Sequence, residues 1–179
     1  AAAVSWNGSV LLVGGSTSPG KCLPPYTEWA TVFIGSRPHG GTASRLTWSN
    51  FSSLPSGLTH ASAVVVGDAL YVMGGYGPGP CLRGPSKGKC AHSSVWQLDL
   101  LNPHLPAIAR APMPYNRSNF GTAVFRGKIY TAGGYGNYGD LALRRSSAGG
   151  AECVQANLDV YDPALNMWTA LRPMSTKRG

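Results

Sequence analysis

The sequence predicts an all-β repeat protein made of three successive four-stranded units. Three observations lead there. Three segments align without gaps: Val4 to Gly15, Val64 to Gly75 and Ala123 to Gly134. Their Gly-Gly pairs fall at 14/15, 74/75 and 133/134, so the units repeat at 60 and 59 residues. Self-similarity at a fixed period is the signature of a repeat architecture. Finally, Gly 24 and Pro 14 are high counts in 179 residues, and charged residues make up only 12%. A helical chain would hold fewer breakers and more charge.

Each unit opens with an apolar strand, a two-residue turn, a second apolar strand and the diglycine. The turns are Asn7-Gly8, Gly67-Asp68 and Arg126-Gly127. Residues that tolerate positive φ favour tight hairpins. Runs such as Val64-Val65-Val66 and Val10-Leu11-Leu12-Val13 show no alternation, so both faces of each sheet should be covered. A long Gly/Pro/Ser-rich loop follows each diglycine. The third strand is expected over Glu28 to Ile34, Ser93 to Leu100 and Asn157 to Tyr161. A short fourth strand should carry Trp48, Ile108 and Trp168, ahead of Leu54-Pro55, Pro112-Met113 and Pro173-Met174. Four strands per repeat, three times over, is the pattern of β-propeller blades. The expected blades are 1–56, 57–114 and 115–174, with 175–179 beginning the next repeat.

The pattern resembles the kelch repeat, which joins an apolar tetrad, a diglycine, and later a Tyr and a Trp. The third unit has all of it: Ile129 to Ala132, Gly133-Gly134, Tyr161 and Trp168. The second keeps Gly74-Gly75 and Pro112-Met113 but has Leu101 and Ile108 where the aromatics are expected; the first keeps Gly14-Gly15 and Trp48 without a clear Tyr. The resemblance implies a kelch-type β-propeller with Tyr161 and Trp168 as core. Propellers close with about four to eight blades, so three leave the ring incomplete. The expected occupant of the gap is the rest of a longer propeller, with a second copy as the alternative.

The long loops should emerge together on one face, where a rigid scaffold commonly carries function. The candidate contacts there are Tyr76, Tyr135 and Tyr138, with the cations Arg83, Lys87, Lys89, Arg144 and Arg145. Some kelch adaptors grip acidic peptides with arginines just before the first strand. The matching positions are Arg117 and Asn119, Leu58 and His60, and Arg178. The net charge of +8 suits an acidic protein or acidic glycan partner. Nucleic acid is not expected, because no dense Lys/Arg run exists. No apolar stretch approaches the roughly 20 residues that cross a membrane.

All four cysteines, Cys22, Cys81, Cys90 and Cys153, are expected in these loops and outside strands. Cys81 with Cys90 and Cys22 with Cys153 is the first of three possible pairings. Asn7, Asn50 and Asn116 head Asn-x-Ser sequons expected in turns or loops, where a glycan must sit. Together these favour a secreted or extracellular protein, with a cytoplasmic one as the alternative. Cys81, Cys90 and His92 could supply zinc ligands, but their spacing matches no compact zinc pattern.

No metal, cofactor or catalytic residue is assigned. The carboxylates are few, and no nucleophile elbow or phosphate-binding loop is present. The expected function is therefore a non-catalytic binding scaffold in a larger protein. The alternatives are an intracellular kelch adaptor, or part of a galactose-oxidase-like copper-radical oxidase. The latter needs Tyr, Cys and two His together, yet His39, His60, His92 and His104 fall at unrelated repeat positions.

Overall fold

The computed structural model describes residues 1–17, 27–37, 45–79, 89–136 and 154–179. Among these there is no helix, and none therefore that could span a membrane. The first sheet orders β1 (Ala2–Trp6), β2 (Ser9–Val13), β5 (Thr31–Ser36) and β6 (Thr47–Ser53). The second holds β7 (Ser62–Val66), β8 (Ala69–Met73), β11 (Val95–Asp99) and β12 (Ile108–Arg110). The third holds β13 (Gly121–Phe125), β14 (Lys128–Ala132), β15 (Leu158–Asp162) and β16 (Met167–Ala170). Every pairing is antiparallel. The first strands β1, β7 and β13 lie side by side, as strands nearest a propeller axis do. These are three propeller-type blades in an open arc.

The hairpin turns take the conformations their residues permit. Asn7 and Gly8 have φ of 44° and 73°, and Arg126 and Gly127 have 50° and 72°. Gly67, at 58°, is the only positive-φ residue of its turn. The loops also contain short ladders that the sequence did not announce. Ser16–Thr17 (β3) pairs with Thr27–Glu28 (β4), and Tyr76–Pro78 (β9) with Lys89–Ala91 (β10). Two expectations change accordingly. Glu28 belongs to a loop hairpin rather than the third strand, and Cys90 lies in a strand.

Two apolar layers join the blades. Leu11, Val13 and Val32 of the first pack on Leu70, Val72 and Leu98 of the second. Val64, Tyr71, Met73 and Val95 of the second pack on Ile129 and Tyr161 of the third. Both faces of the middle sheet are thus covered, as its unbroken valine run demands.

Register relocates the motif aromatics. In the third blade Ile129 stands opposite Tyr161, which stands opposite Trp168. The same ladder in the second blade pairs Leu70 with Leu98. Leu101 and Ile108, which stand at the motif's aromatic places by sequence spacing, do not fill the core: they are 65% and 55% exposed. The span from Leu98 to Ala107, the residue that the register puts across from it, is two residues longer than the span from Tyr161 to Trp168, which moves the Trp place to Ala107. In the first blade the Tyr place is Gly35, opposite Trp48. The Trp48 ring lies over it, and a Cβ there would come within 2.8 Å of ring atoms. Trp48 is consequently 43% exposed. Tyr161 is fully buried; its hydroxyl donates to Asn166 Oδ1 (2.6 Å), and its ring meets Tyr71 edge-on at 6.0 Å. Burial raises the pKa of both phenols. Trp168 Nε1 donates to Ala111 O at 2.9 Å, stitching the third blade to the exit of the second.

The diglycines form one repeated joint. The second glycine donates its N–H to a carbonyl of the segment entering the next blade. The pairs are Gly15 to Leu58 (2.8 Å), Gly75 to Arg117 (2.9 Å) and Gly134 to Arg178 (2.7 Å). The first glycine lies with φ of 61°, 57° and 66° against that same carbonyl, where a Cβ would overlap it. Below sit the side chains of Met113 and Met174 at the second and third joints, each within van der Waals reach of its glycine. These glycines are needed for both conformation and space.

Gly74→Ala is expected to destabilise the protein by about 3 kcal/mol or more, since backbone strain adds to overlap with a carbonyl. Gly67→Ala meets open space at a similar φ and should cost about 1 kcal/mol from strain alone. Urea denaturation of the two variants checks the difference.

Candidate functional site

The candidate site lies at the diglycine end, where each blade hands over to the next. Each entry segment crosses this end in the same way. Thr59 and Tyr76 exchange backbone hydrogen bonds (2.9 and 2.6 Å), and so do Ser118 and Tyr135 (2.8 Å each). Next in the chain come His60 and Asn119, both exposed and both left-handed, with φ of 55° and 52°. Asn119 N donates to His60 O at 3.1 Å, so the two adjoin across the blade boundary. Ser62 and Thr122 bring their hydroxyls together just inside. Tyr135 is 41% exposed, and Tyr76 is half-buried. The end therefore displays a His–Tyr pair and an Asn–Tyr pair in register on adjacent blades.

Arg117 does not join this display. The expectation of a solvent-facing cation there is corrected, because the side chain is fully buried. Its Nη2 pairs with Asp159 Oδ2 at 2.5 Å, its Nη1 donates to Thr131 Oγ1 at 3.4 Å, and it stacks near Tyr115 and Phe120. Burial lowers the pKa of the guanidinium, against the opposing pull of Asp159. Arg117 Nε, Asp159 Oδ1 and the neighbouring Gln155 Oε1 are buried without a hydrogen-bond partner among the described residues. Gln155 Nε2 donates to Asn116 O at 2.8 Å. Sequence reasoning missed Thr131, Gln155 and the role of Asp159. The available signal was that the third unit alone combines an Arg at its entry with a carboxylate in its third strand.

Lys89 is also engaged. Its Nζ lies 2.5 Å from Oε1 of the well-buried Glu28, tying the loops of two blades together. Cys90 is buried, and its Sγ and the His92 ring both abut Gly79. His92 Nε2 is buried without a partner among the described residues. Cys22, Cys81, Cys153, Arg83, Lys87, Tyr138, Arg144, Arg145 and His39 lie outside the described residues. Among the described ones, no three His, Cys, Asp or Glu side chains gather to hold a metal. His60 is at the diglycine end and His104 in the connection at the opposite end, lining a cleft of about 580 Å³ with Asn50 and Phe51.

Of the sequons, Asn7 is exposed in its turn. Asn50 is exposed but sits inside β6, not in a loop, opposite Phe33. Asn116 is half-buried, and its sequon partner Ser118 is buried.

The blades and joints define a propeller of the repeat-scaffold class. The kelch motif model matches residues 57–103 and 116–175, more than half of the chain. The chain belongs to the kelch-repeat family. It is 30% identical over 134 residues to the Kelch repeat and BTB domain-containing protein 12 of Homo sapiens, covering 74% of this chain and 20% of that one. It is 29% identical over 136 residues to the Kelch-like protein terF of Aspergillus terreus, covering 72% and 26%. An influenza virus NS1A-binding protein homolog of Mus musculus is 37% identical over 68 residues, covering 38% and 8%. The chain thus spans about a quarter or less of these relatives' lengths. Among solved structures, YjhT superposes with a TM-score of 0.68 at 16% identity, over 97% of this chain and 50% of that one. A fungal alcohol oxidase of the AA5 family, in complex with copper, gives 0.62 at 21%, over 98% and 32%. At these identities the likeness is one of fold.

Asp159→Leu should leave Arg117 uncompensated in a dry interface and lower stability by about 3–5 kcal/mol. Arg117→Leu combined with Asp159→Leu should recover most of that loss, as measured by a double-mutant cycle in urea. A double variant no more stable than Asp159→Leu alone would show that the two side chains are not coupled.

Proposed function

We propose that this chain is a non-catalytic binding scaffold that holds an acidic protein partner against its diglycine end. The observation that carries this reading is the repeated display of His60 with Tyr76 and Asn119 with Tyr135. These side chains stand on segments clamped by backbone hydrogen bonds on both sides, so little ordering cost opposes binding. Tyrosines supply large contact area with a polar tip. The net charge of +8, to which Arg83, Lys87, Arg144 and Arg145 contribute, favours an acidic partner. One relative is itself named for binding a protein, NS1A of influenza virus.

A photo-crosslinking side chain placed at Asn119 should capture a discrete protein in the cells that make this chain. The same group at Gly127, in the turn at the opposite end, should capture none. Equal capture from both ends, or capture of glycan alone from Asn119, would count against the reading. With the captured partner in hand, His60→Ala, Asn119→Ala and Tyr135→Ala together should weaken binding at least about tenfold while the circular dichroism spectrum stays that of the folded protein.

The proposed compartment is extracellular, with Cys81–Cys90 and Cys22–Cys153 bridges and sugar on Asn7 and Asn50. The even cysteine number and the exposure of both asparagines support it. Non-reducing peptide mapping and glycosidase treatment of protein from its native source check it. Four thiols that react before denaturation, together with unmodified sequons, would assign the chain instead to a reducing compartment, as an intracellular adaptor.

A further inference from the structure

Leu58, Arg117 and Arg178 occupy one place at three successive joints. Each donates its N–H to the loop of the blade behind: Leu58 to Trp29 O (3.2 Å), Arg117 to His92 O (3.0 Å) and Arg178 to Gln155 O (3.1 Å). Each also accepts from a diglycine N–H. What the side chain meets is set by two facing residues in the blade it enters. In the second blade these are Val72 and Trp96, directly opposite each other, and Leu58 lies in their apolar cluster. In the third they are Thr131 and Asp159, again opposite, and they bind Arg117. The entry residue and its facing pair therefore match: leucine with an apolar pair, arginine with a hydroxyl and a carboxylate.

Arg178 has the same backbone pose, but its side chain is exposed. The open face of the third blade carries Phe125 at 58% exposure, at the end away from Arg178. This chain aligns with half of a solved propeller, so a second copy is the simplest cover. A second copy would bring its first blade, in which the facing pair is Leu12 and Phe33. That pair suits a leucine. Glu28 is the only acidic residue before Asp68, and Lys89 already holds it. Arg178 would be buried there without a carboxylate, which is strongly unfavourable.

We propose that the open face of the third blade receives a different blade, one carrying Asp or Glu at the place of Asp159, and excludes the first blade of a second copy. The matching of entry residue to facing pair acts as a code for blade order. It extends beyond the binding role proposed above and does not depend on it.

Sedimentation velocity of the full chain and four variants tests the code. Phe33→Asp turns the first blade into a carboxylate-bearing one, and should tighten head-to-tail pairing of two copies at least tenfold over the starting chain. Arg178→Leu should tighten it similarly by making the joint apolar. Combining the two should return pairing to the starting level, since a carboxylate then meets a leucine. Arg172→Leu, an exposed change off the joint, should do nothing. The proposal is overturned if the unaltered chain pairs as tightly as the single variants, or if the combined variant pairs as tightly as either. If circular dichroism shows Phe33→Asp unfolded, Arg178→Leu decides alone, and no gain over Arg172→Leu overturns the proposal.

Discussion

The contact between each diglycine and the carbonyl of the next entry segment is the constraint on which the rest depends. It fixes where one blade ends relative to the next. It does so with backbone atoms alone, so it survives while the surrounding side chains vary. The positive φ of the first glycine turns the chain out of the sheet. The missing Cβ admits the carbonyl, and the second glycine's N–H satisfies it. Two buried polar groups are paired at each joint, and leaving either unpaired would be costly. The apolar layers then pack in the register the joints impose.

Given that scaffold, the blades differ in what fills equivalent places. Tyr161, Leu98 and Gly35 share one position in the ladder. The structure accommodates all three, because the neighbouring ring or chain adjusts: Trp48 folds over Gly35, and the second blade lengthens its outer connection. Leu58 and Arg117 are the sharper contrast. One joint is apolar and the next holds a buried ion pair with unpartnered atoms on both residues. Such a pair adds little net stability over an apolar filling. Its value lies in rejecting the wrong neighbour, a role polar groups are known to play in register selection.

Much of the fold was legible in the sequence for a physical reason. Diglycines, tight-turn residues and apolar runs are local signals, and repetition in register multiplies their weight. The aromatics of the third unit were legible for the same reason. Register across a sheet is not local. Leu101 and Ile108 are seven residues apart, as Tyr161 and Trp168 are, and nothing local in the chain announces that the facing residues of the second blade are two further apart. The candidate site was less legible still. The alignment identified Arg117, His60 and Asn119 as entry residues, but not that Arg117 turns inward while the other two point to solvent. That depends on whether the entered blade offers a carboxylate, and Asp159 lies 42 residues further along. The strands of Cys90 and Asn50 lack an apolar run, so nothing local marks them as strands.

If the joints hold the arc together, their amides should exchange with solvent only when the blades separate. Native-state hydrogen exchange on Gly15, Gly75, Gly134, Leu58 and Arg117 measures this directly. The account predicts protection equal to that of the central strands β2, β8 and β14. It also predicts that Gly74→Ala releases the amides of Gly75 and Arg117 while Gly15 and Leu58 stay protected. Rapid exchange at Gly75 and Arg117 in the unaltered chain, with β8 and β14 fully protected, would contradict it: the blades would then be held by side-chain packing, and the diglycines would be turns and nothing more.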